Sequence, residues 1–321
     1  MFGRLLDVYI YNENDAIHLV DSSLKNKSLV CEVDIKCMPN KERTSAVIKI
    51  YNLSQDIRKT IKVGNYKRIV VKFGYEDLDN GTISAIFNGT LQRTITQRPS
   101  PETSCTIYYA YELGDAYTYG FFSGYFSAGT SLYDACMTIA NTGEQKIPIE
   151  ITPLFKSIFL KNGKSFYGSQ IELLQQIASS VKNILFMQSM GKVYIVTAKE
   201  NDSSEVIVMS GVNADKNLVS TSGLIGLPTL EDDGLSFECL VNPKIRMYST
   251  VLIANQFISD AQEGFEAHSI AGAVYDENGL YVVTRIDTHV TNDAQQSKMK
   301  IRALARSYYI GENKWNNLKQ Q

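Results

Sequence analysis

The chain has 321 residues, 44% of them hydrophobic and 21% charged, with a formal net charge of −2. A single core rarely grows past about 250–300 residues, so this length predicts two or three domains. The composition excludes wholesale disorder, and the near-zero charge gives no bulk attraction for nucleic acid or for an anionic membrane.

The five cysteines (Cys31, Cys37, Cys105, Cys136 and Cys239) are odd in number and form no Cys-x-x-Cys pair. Neither a disulfide framework nor a zinc site is expected from them, and a reducing cytosol is the expected place of folding. The opening Met1-Phe2-Gly3-Arg4-Leu5-Leu6-Asp7 lacks the apolar core of a signal peptide. No apolar run approaches the roughly 18–20 residues needed to cross a bilayer, so a soluble protein outside the general secretory route is expected. Nineteen tyrosines, amphipathic and common at interfaces, favour partner surfaces.

Residues 1–113 read as mostly β. Strands are expected at Val8–Tyr11, Leu29–Ile35, Ser45–Tyr51, Arg68–Phe73, Ile83–Asn88, Leu91–Ile95 and Thr106–Tyr111. Ser45–Tyr51 is the clearest: a β-branched run stopped by Asn52-Leu53-Ser54, whose polar side chains hydrogen-bond their own backbone. A short helical turn follows at Gln55–Thr60, and Asp79-Asn80-Gly81 closes an acidic loop. Residues 114–216 read as a small α+β unit. Tyr117–Thr130 is a Gly- and aromatic-rich crossing segment. One helix starts at Ser131, with Leu132, Cys136, Ile139 and Ala140 at helical spacing and a stop at Asn141-Thr142-Gly143. A second follows Gly168-Ser169, with Ile171, Leu174, Ile177, Ala178 and Val181 on one face. Strands are expected at Ile147–Ile151, Ile184–Met187, Val193–Ala198 and Glu205–Met209, a sheet against which helices of this length must bury their stripes. Residues 217–307 return to β: an apolar turn region at Gly223–Pro228, strands at Leu235–Val241 and Thr250–Ala254, a polar insertion over Ser259–Gly279, then two alternating strands. The first runs from Leu280 to Val290, with Val282, Thr284, Ile286 and Val290 on one face. The second sets Met299, Ile301, Ala303 and Ala305 against Lys298, Lys300, Arg302 and Arg306. Residues 308–321, which hold the single tryptophan, Trp315, form a polar tail.

The two β regions follow one plan. Val47–Tyr51, Asn52, a connector, Arg68–Phe73, an insertion, Leu91–Ile95 and Thr106–Tyr111 match Phe237–Val241, Asn242, a connector, Thr250–Ala254, an insertion, Tyr281–Val290 and Met299–Ala305, at an offset of about 180–190 positions. Three copies of a twice-repeated chain make a ring of six similar positions, able to meet a sixfold object on one face and a threefold object on the other. Sheet edges in such a ring would pair across neighbours.

Enzymatic signatures are sparse. His18, His268 and His289 are far apart, without zinc-ligand spacing. There is no Gly-x-Ser-x-Gly elbow and no phosphate-binding loop. Asp77-Leu78-Asp79-Asn80-Gly81 lacks the closing Glu of a calcium loop and reads as a turn. Glu231-Asp232-Asp233 would serve glycoside cleavage only across a sugar, and reads better as a solvated turn. The basic face of Lys298, Lys300, Arg302 and Arg306 suits an acidic protein rim or solvent better than DNA phosphates.

Ile50-Tyr51-Asn52-Leu53-Ser54, Val63-Gly64, Phe73-Gly74-Tyr75, Phe87-Asn88-Gly89, Gly223-Leu224-Ile225-Gly226 with Pro228, and Val241-Asn242-Pro243 occur in a telling order. Together they resemble the central baseplate hub protein of contractile-tailed phages, the Mu-like and T-even-like hubs, related in fold to the N-terminal part of type VI secretion spikes. The resemblance covers roughly residues 30–307. It implies an α+β, mainly β chain with two tail-tube-like β-barrel domains (1–113 and 217–307) flanking the α+β domain (114–216). It also implies a structural virion protein of the tail baseplate, assembled in the bacterial host cytoplasm without cofactor, enzymatic activity or membrane contact. Its implied partners are two further copies of itself, the tail tube, the central spike, the tape measure and other baseplate proteins, with genomic DNA passing through a channel unbound. Tyr75, Phe87, Lys298, Lys300, Arg302, Arg306 and Trp315 are the candidate protomer or partner contacts. The alternatives are a tail-associated peptidoglycan hydrolase and a carbohydrate-binding surface module.

Overall fold

A computed structural model describes residues 3–38, 43–76, 81–143, 146–197, 200, 206–209, 223–231, 234–253, 279–293 and 297–306. The first lobe contains β1 (Arg4–Tyr11), β2 (Ala16–Val20), β3 (Cys31–Cys37), β4 (Ser45–Tyr51), α1 (Gln55–Val63), β5 (Arg68–Tyr75), β6 (Ser84–Gln97) and β7 (Cys105–Tyr111). The middle unit contains α2 (Gly114–Tyr119), β8 (Phe121–Phe126), α3 (Leu132–Asn141), β9 (Ile149–Ile151), β10 (Lys164–Ser169), α4 (Gln170–Ser179), β11 (Ile184–Ser189) and β12 (Lys192–Thr197). After β13 (Ile207–Val208), the second lobe contains β14 (Leu224–Glu231), β15 (Gly234–Cys239), β16 (Thr250–Leu252), β17 (Leu280–Thr291) and β18 (Lys298–Ala305).

Alternation explains the strands. In β4, Ala46, Ile48 and Ile50 point into the core while Val47, Lys49 and Tyr51 face out. In β18, Met299, Ile301, Ala303 and Ala305 are buried, as the pattern predicts. Asn52 takes a left-handed backbone at φ 56, and its Oδ1 accepts from Ser104 N at 3.0 Å. Ser54 caps α1 by accepting from Ile57 N, and Ser131 caps α3 by accepting from Asp134 N.

Four expectations shift. Ile83–Asn88 and Leu91–Ile95 are one strand, β6, kept continuous by a bulge between Leu91 and Arg93. Of Gly223–Pro228, all but Gly223 lies in strand β14, irregular between Ile225 and Thr229, rather than in a turn. The crossing segment, Tyr117–Thr130, holds the end of α2 and all of β8. In β17 a bulge after Val283 breaks the simple alternation, so Tyr281, Val282 and Val283 are buried together while Thr284 is half-exposed. The loop around Asp79, the Ser259–Gly279 insertion up to residue 278, Asp232, Asp233 and Trp315 lie outside the described residues.

Thirteen strands form one sheet, with main path β14-β15-β18-β17-β3-β4-β7-β6-β5-β1-β2 and with β16 on β17. The mainly β, α+β class is as the sequence predicts, but the path is open: among the described residues neither lobe closes into a barrel by itself. Instead β17 pairs antiparallel with β3, from Ile286 opposite Cys37 to Thr291 opposite Glu32. One hydrophobic core accordingly runs through both lobes, from Leu6, Ile48 and Phe73 to Phe237, Tyr281 and Ile301. The middle unit has its own core, around Ile139, Phe155, Leu174 and Ile195. There Gln170, fully buried, donates through its side-chain amide to the carbonyls of Ile139 and Thr142 and so ties α4 to the end of α3.

Asn292 fastens the joint between the lobes. Its side chain accepts from Cys31 N and donates to Leu29 O, both at 2.8 Å. Replacing Asn292 by Ala removes both bonds, and a cost of about 1–3 kcal/mol is expected. Urea unfolding should show a lower midpoint with an unchanged slope; an unchanged midpoint would show that the clamp is idle.

Candidate assembly surface

The two lobes repeat one ladder. In the first, β3-β4-β7-β6-β5 are neighbours in that order; in the second, β14-β15-β18-β17-β16 are. All eight pairings are antiparallel. The agreement extends to single residues. Ala110 pairs with Ala46 and Leu91, and the register slips between Leu91 and Arg93. Ala303 pairs with Leu235 and Val283, and the register slips between Val283 and Arg285. A bulge at the same rung of the same ladder is a far closer likeness than strand order alone.

One face of this sheet carries paired charge across both lobes. Lys298 Nζ lies 3.0 and 2.9 Å from the two carboxylate oxygens of Glu238. Arg285 Nε lies 2.9 Å from Asp287, and His289 Nδ1 lies 2.7 Å from Asp34 across the β17–β3 joint. Lys49 Nζ is 3.2 Å from Glu32, which also accepts from Tyr51 Oη at 3.1 Å. Lys300 is exposed on the same face, opposite Asp287 and Glu238 in register, and Arg302 sits half-exposed between Ser236 and Arg285. The expected basic stripe is therefore one row of a mixed-sign lattice. Arg306 follows β18, half-exposed. Tyr75 and Phe87 are taken up by the protomer's own core. Phe87 is fully buried, and Gly89 leaves room beside it, since a Cβ there would stand 2.6 Å from the ring. Tyr75 packs edge-on against Phe73 and accepts from Val241 N at 3.1 Å, bridging the lobes; burial pushes its phenol up.

The middle unit is held to the first lobe at a point the sequence reading missed. Met190, at the tip of the β11–β12 hairpin, has a left-handed backbone (φ 53). Its N–H donates to Glu112 Oε1 at 3.0 Å, and its carbonyl accepts from Asn88 Nδ2 at 3.0 Å. Asn88 is itself oriented by Arg68, whose Nε donates to Oδ1 at 2.8 Å. Glu112 is buried, and desolvation pushes its carboxyl up to about 8 against the opposing pull of Met190 N–H and Arg246. Elsewhere, Asp7, His18 and Asp21 form a group with metal-ligating side chains. Each nitrogen of His18 faces one carboxylate, at 3.6 and 3.4 Å, and Tyr9 stacks on the ring.

The family model for baseplate hub gp41 matches residues 11–261. This chain belongs to the baseplate hub gp41 family. The hub is thus a structural component of a phage tail, and no helix among its described residues is long and apolar enough to cross a membrane. Solved structures agree on the fold. The hub is similar to the 43 kDa tail protein of prophage MuSo2 from Shewanella oneidensis, at TM-score 0.54 and 7% identity, over 94% of this chain and 97% of that one. It is similar to a tail protein from Neisseria meningitidis MC58, at TM-score 0.56 and 8% identity, over 97% and 99%. It is also similar to the E. coli c3393 protein, a type VI secretion component described as resembling T4 tail proteins gp27 and gp5, at TM-score 0.53 and 6% identity, over 93% and 76%. No curated protein is similar enough in sequence to count as a relative.

Glu112 gives the hub a pH signature. Its folded value, about 8, stands above the ordinary 4.5. The stability it contributes is therefore full below about 4.5 and is lost as pH rises through about 8, at up to about 1.4 kcal/mol per unit. Thermal melts from pH 5 to 8 should fall more steeply for the native hub than for Glu112→Gln; equal slopes would contradict the burial argument.

Proposed function

We propose that the hub acts by geometry, as a homotrimer that joins a sixfold tail tube to a threefold central spike in the baseplate of a contractile tail. The observation that carries this reading is the repeated ladder with its matched bulges. A chain with two copies of one β unit turns threefold symmetry into six quasi-equivalent positions, the match that a tube-to-spike joint requires. The three protomers surround a channel, and genomic DNA crosses it on ejection. Assembly takes place in the host cytoplasm, with the tape measure and other baseplate proteins as neighbours in the finished virion. The two β lobes act as the tube-like units and the α+β unit, 114–216, as the insert between them.

The paired-charge face supports a passage role. Lys298, Arg285, His289 and Lys49 each have a carboxylate partner in the same sheet. Binding DNA tightly needs several cations free to neutralise phosphates and release counterions. With Lys298, Arg285 and Lys49 already matched and Lys300 the exposed member of the β18 row, such a wall offers a polyanion few free cations and lets it slide.

Two measurements test the proposal. Light scattering of the full chain, alone and mixed with its cognate spike protein, should give three chains per particle in at least one of the two samples; one chain in both would overturn it. Duplex DNA at physiological salt should migrate unretarded with the assembled hub, whereas retardation that weakens steeply with added salt would contradict the passive wall.

A further inference from the structure

At the far end of the sheet path β2 pairs, among the described residues, only with β1. Asp7 of β1, His18 of β2 and Asp21 just beyond β2 bring their polar ends together there. One ligand atom from each lies within 4.8 Å of the other two, so the three surround a point no more than about 2.8 Å from any of them, a small side-chain adjustment from the roughly 2.0–2.2 Å bonds that imidazole and carboxylate make to zinc.

Local structure assembles the group. The register of β1 and β2 slips between Val8 and Tyr9, so that His18 rather than Leu19 stands opposite Tyr9. The Tyr9 ring then stacks on the imidazole, 4.1 Å between centroids. Ser22 N donates to Asp7 Oδ1 at 2.8 Å, and Ser23 donates to Asp21 Oδ1 through N at 2.9 Å and Oγ at 2.6 Å. One oxygen of each carboxylate is thereby fixed, the backing that orients metal ligands. Asp21 Oδ2 faces His18 Nδ1 at 3.4 Å.

The group lacks a partner of positive charge. Two carboxylates share one imidazole, and Asp7 is only 7% exposed. Lys72, opposite Asp7 in the β1–β5 register, carries its ammonium over the Tyr9 ring, 5.0 Å from the centroid. His18 Nε2 is buried, 3.6 Å from Asp7 Oδ1, and has no hydrogen-bond partner among the described residues. A buried polar atom left unpaired is costly, and an ion on it removes the cost.

We propose that Asp7, His18 and Asp21 bind one divalent ion of the zinc type, through an imidazole nitrogen and one oxygen of each carboxylate, with water completing the shell. A nitrogen and two carboxylates suit zinc and its first-row neighbours, whereas calcium takes oxygens alone. The ion staples β2, the last strand of the path, to β1 and to the turn that follows. The spacing of the histidines gives no sign of the site, because only one of them takes part. The site needs no second copy of the chain and does not depend on the trimer.

The test is calorimetry on the full chain, stripped of metal by a chelator and titrated with zinc chloride alone. One ion per chain should bind, and His18→Gln should weaken binding by more than the roughly 10–100-fold that loss of an outer-shell partner brings. Asp21→Asn, just beyond β2, repeats the comparison if the first variant does not fold. Cobalt(II) added to the native chain reads the ligand type without any substitution, and visible bands without the near-ultraviolet absorption of a thiolate–cobalt bond are expected. Zinc that binds equally well to the variants, or a thiolate–cobalt absorption, would overturn the proposal by placing the ion elsewhere. No binding to the native chain would overturn it in favour of a protonated His18 held between its two carboxylates without metal.

Discussion

The ladder between β17 and β3 is the constraint from which the rest follows. Without it the chain would be two open sheets, each with long unpaired edges, tethered through an α+β unit. With it, six residue pairs from Ile286 opposite Cys37 to Thr291 opposite Glu32 make one sheet and one core of two halves about 250 residues apart in sequence. Asp34 and His289 meet across it on the outer face, and Asn292 clasps the start of β3. Pairing so distant closes late, because loop-closure entropy must be met before the contacts reward it.

From this joint the geometry of the hub follows in steps. The joint aligns the two lobes edge to edge, and the shared ladder order makes them equivalent. Equivalence within one chain doubles the rotational order of any ring built from it. The same joint sets the charged rows of β15, β18, β17, β3 and β4 side by side, so that acids and bases neutralise one another along the face. The middle unit is attached more locally, through Met190 held between Asn88 and Glu112. A buried carboxyl of raised pKa in a structural protein belongs here to an attachment point, which is why a perturbed titration is not by itself a sign of catalysis.

Much of this was legible in the sequence, for physical reasons that vary by element. Ser45–Tyr51 and Lys298–Ala305 were plain because each has one buried and one wet face, which a two-residue period records. The start of α3 was plain because Ser131 precedes apolar periodicity, whereas Ser54, read as ending a strand, also caps α1. The repeat was legible as strand order and spacing. β2 escaped notice because Ala16–Val20 is short and interrupted by His18, and β14 because Gly226 and Pro228 imitate a turn while lying in an irregular edge strand. The polar row of Lys298, Lys300 and Arg302 was visible, but its partners Glu238 and Asp287 were not, since pairing across strands depends on register that the sequence does not carry. Glu112 and Asn88 looked like ordinary strand-end residues; what buries one and engages the other is a hairpin tip 78 and 102 positions away.

The central claim is that two alike lobes in each of three chains present six near-equal positions. Electron-microscope class averages of the purified assembly, viewed down its axis, test it most directly. The account predicts a ring of six similar densities that alternate weakly with threefold symmetry. Three densities without that doubling, or a ring of any other order, would contradict it.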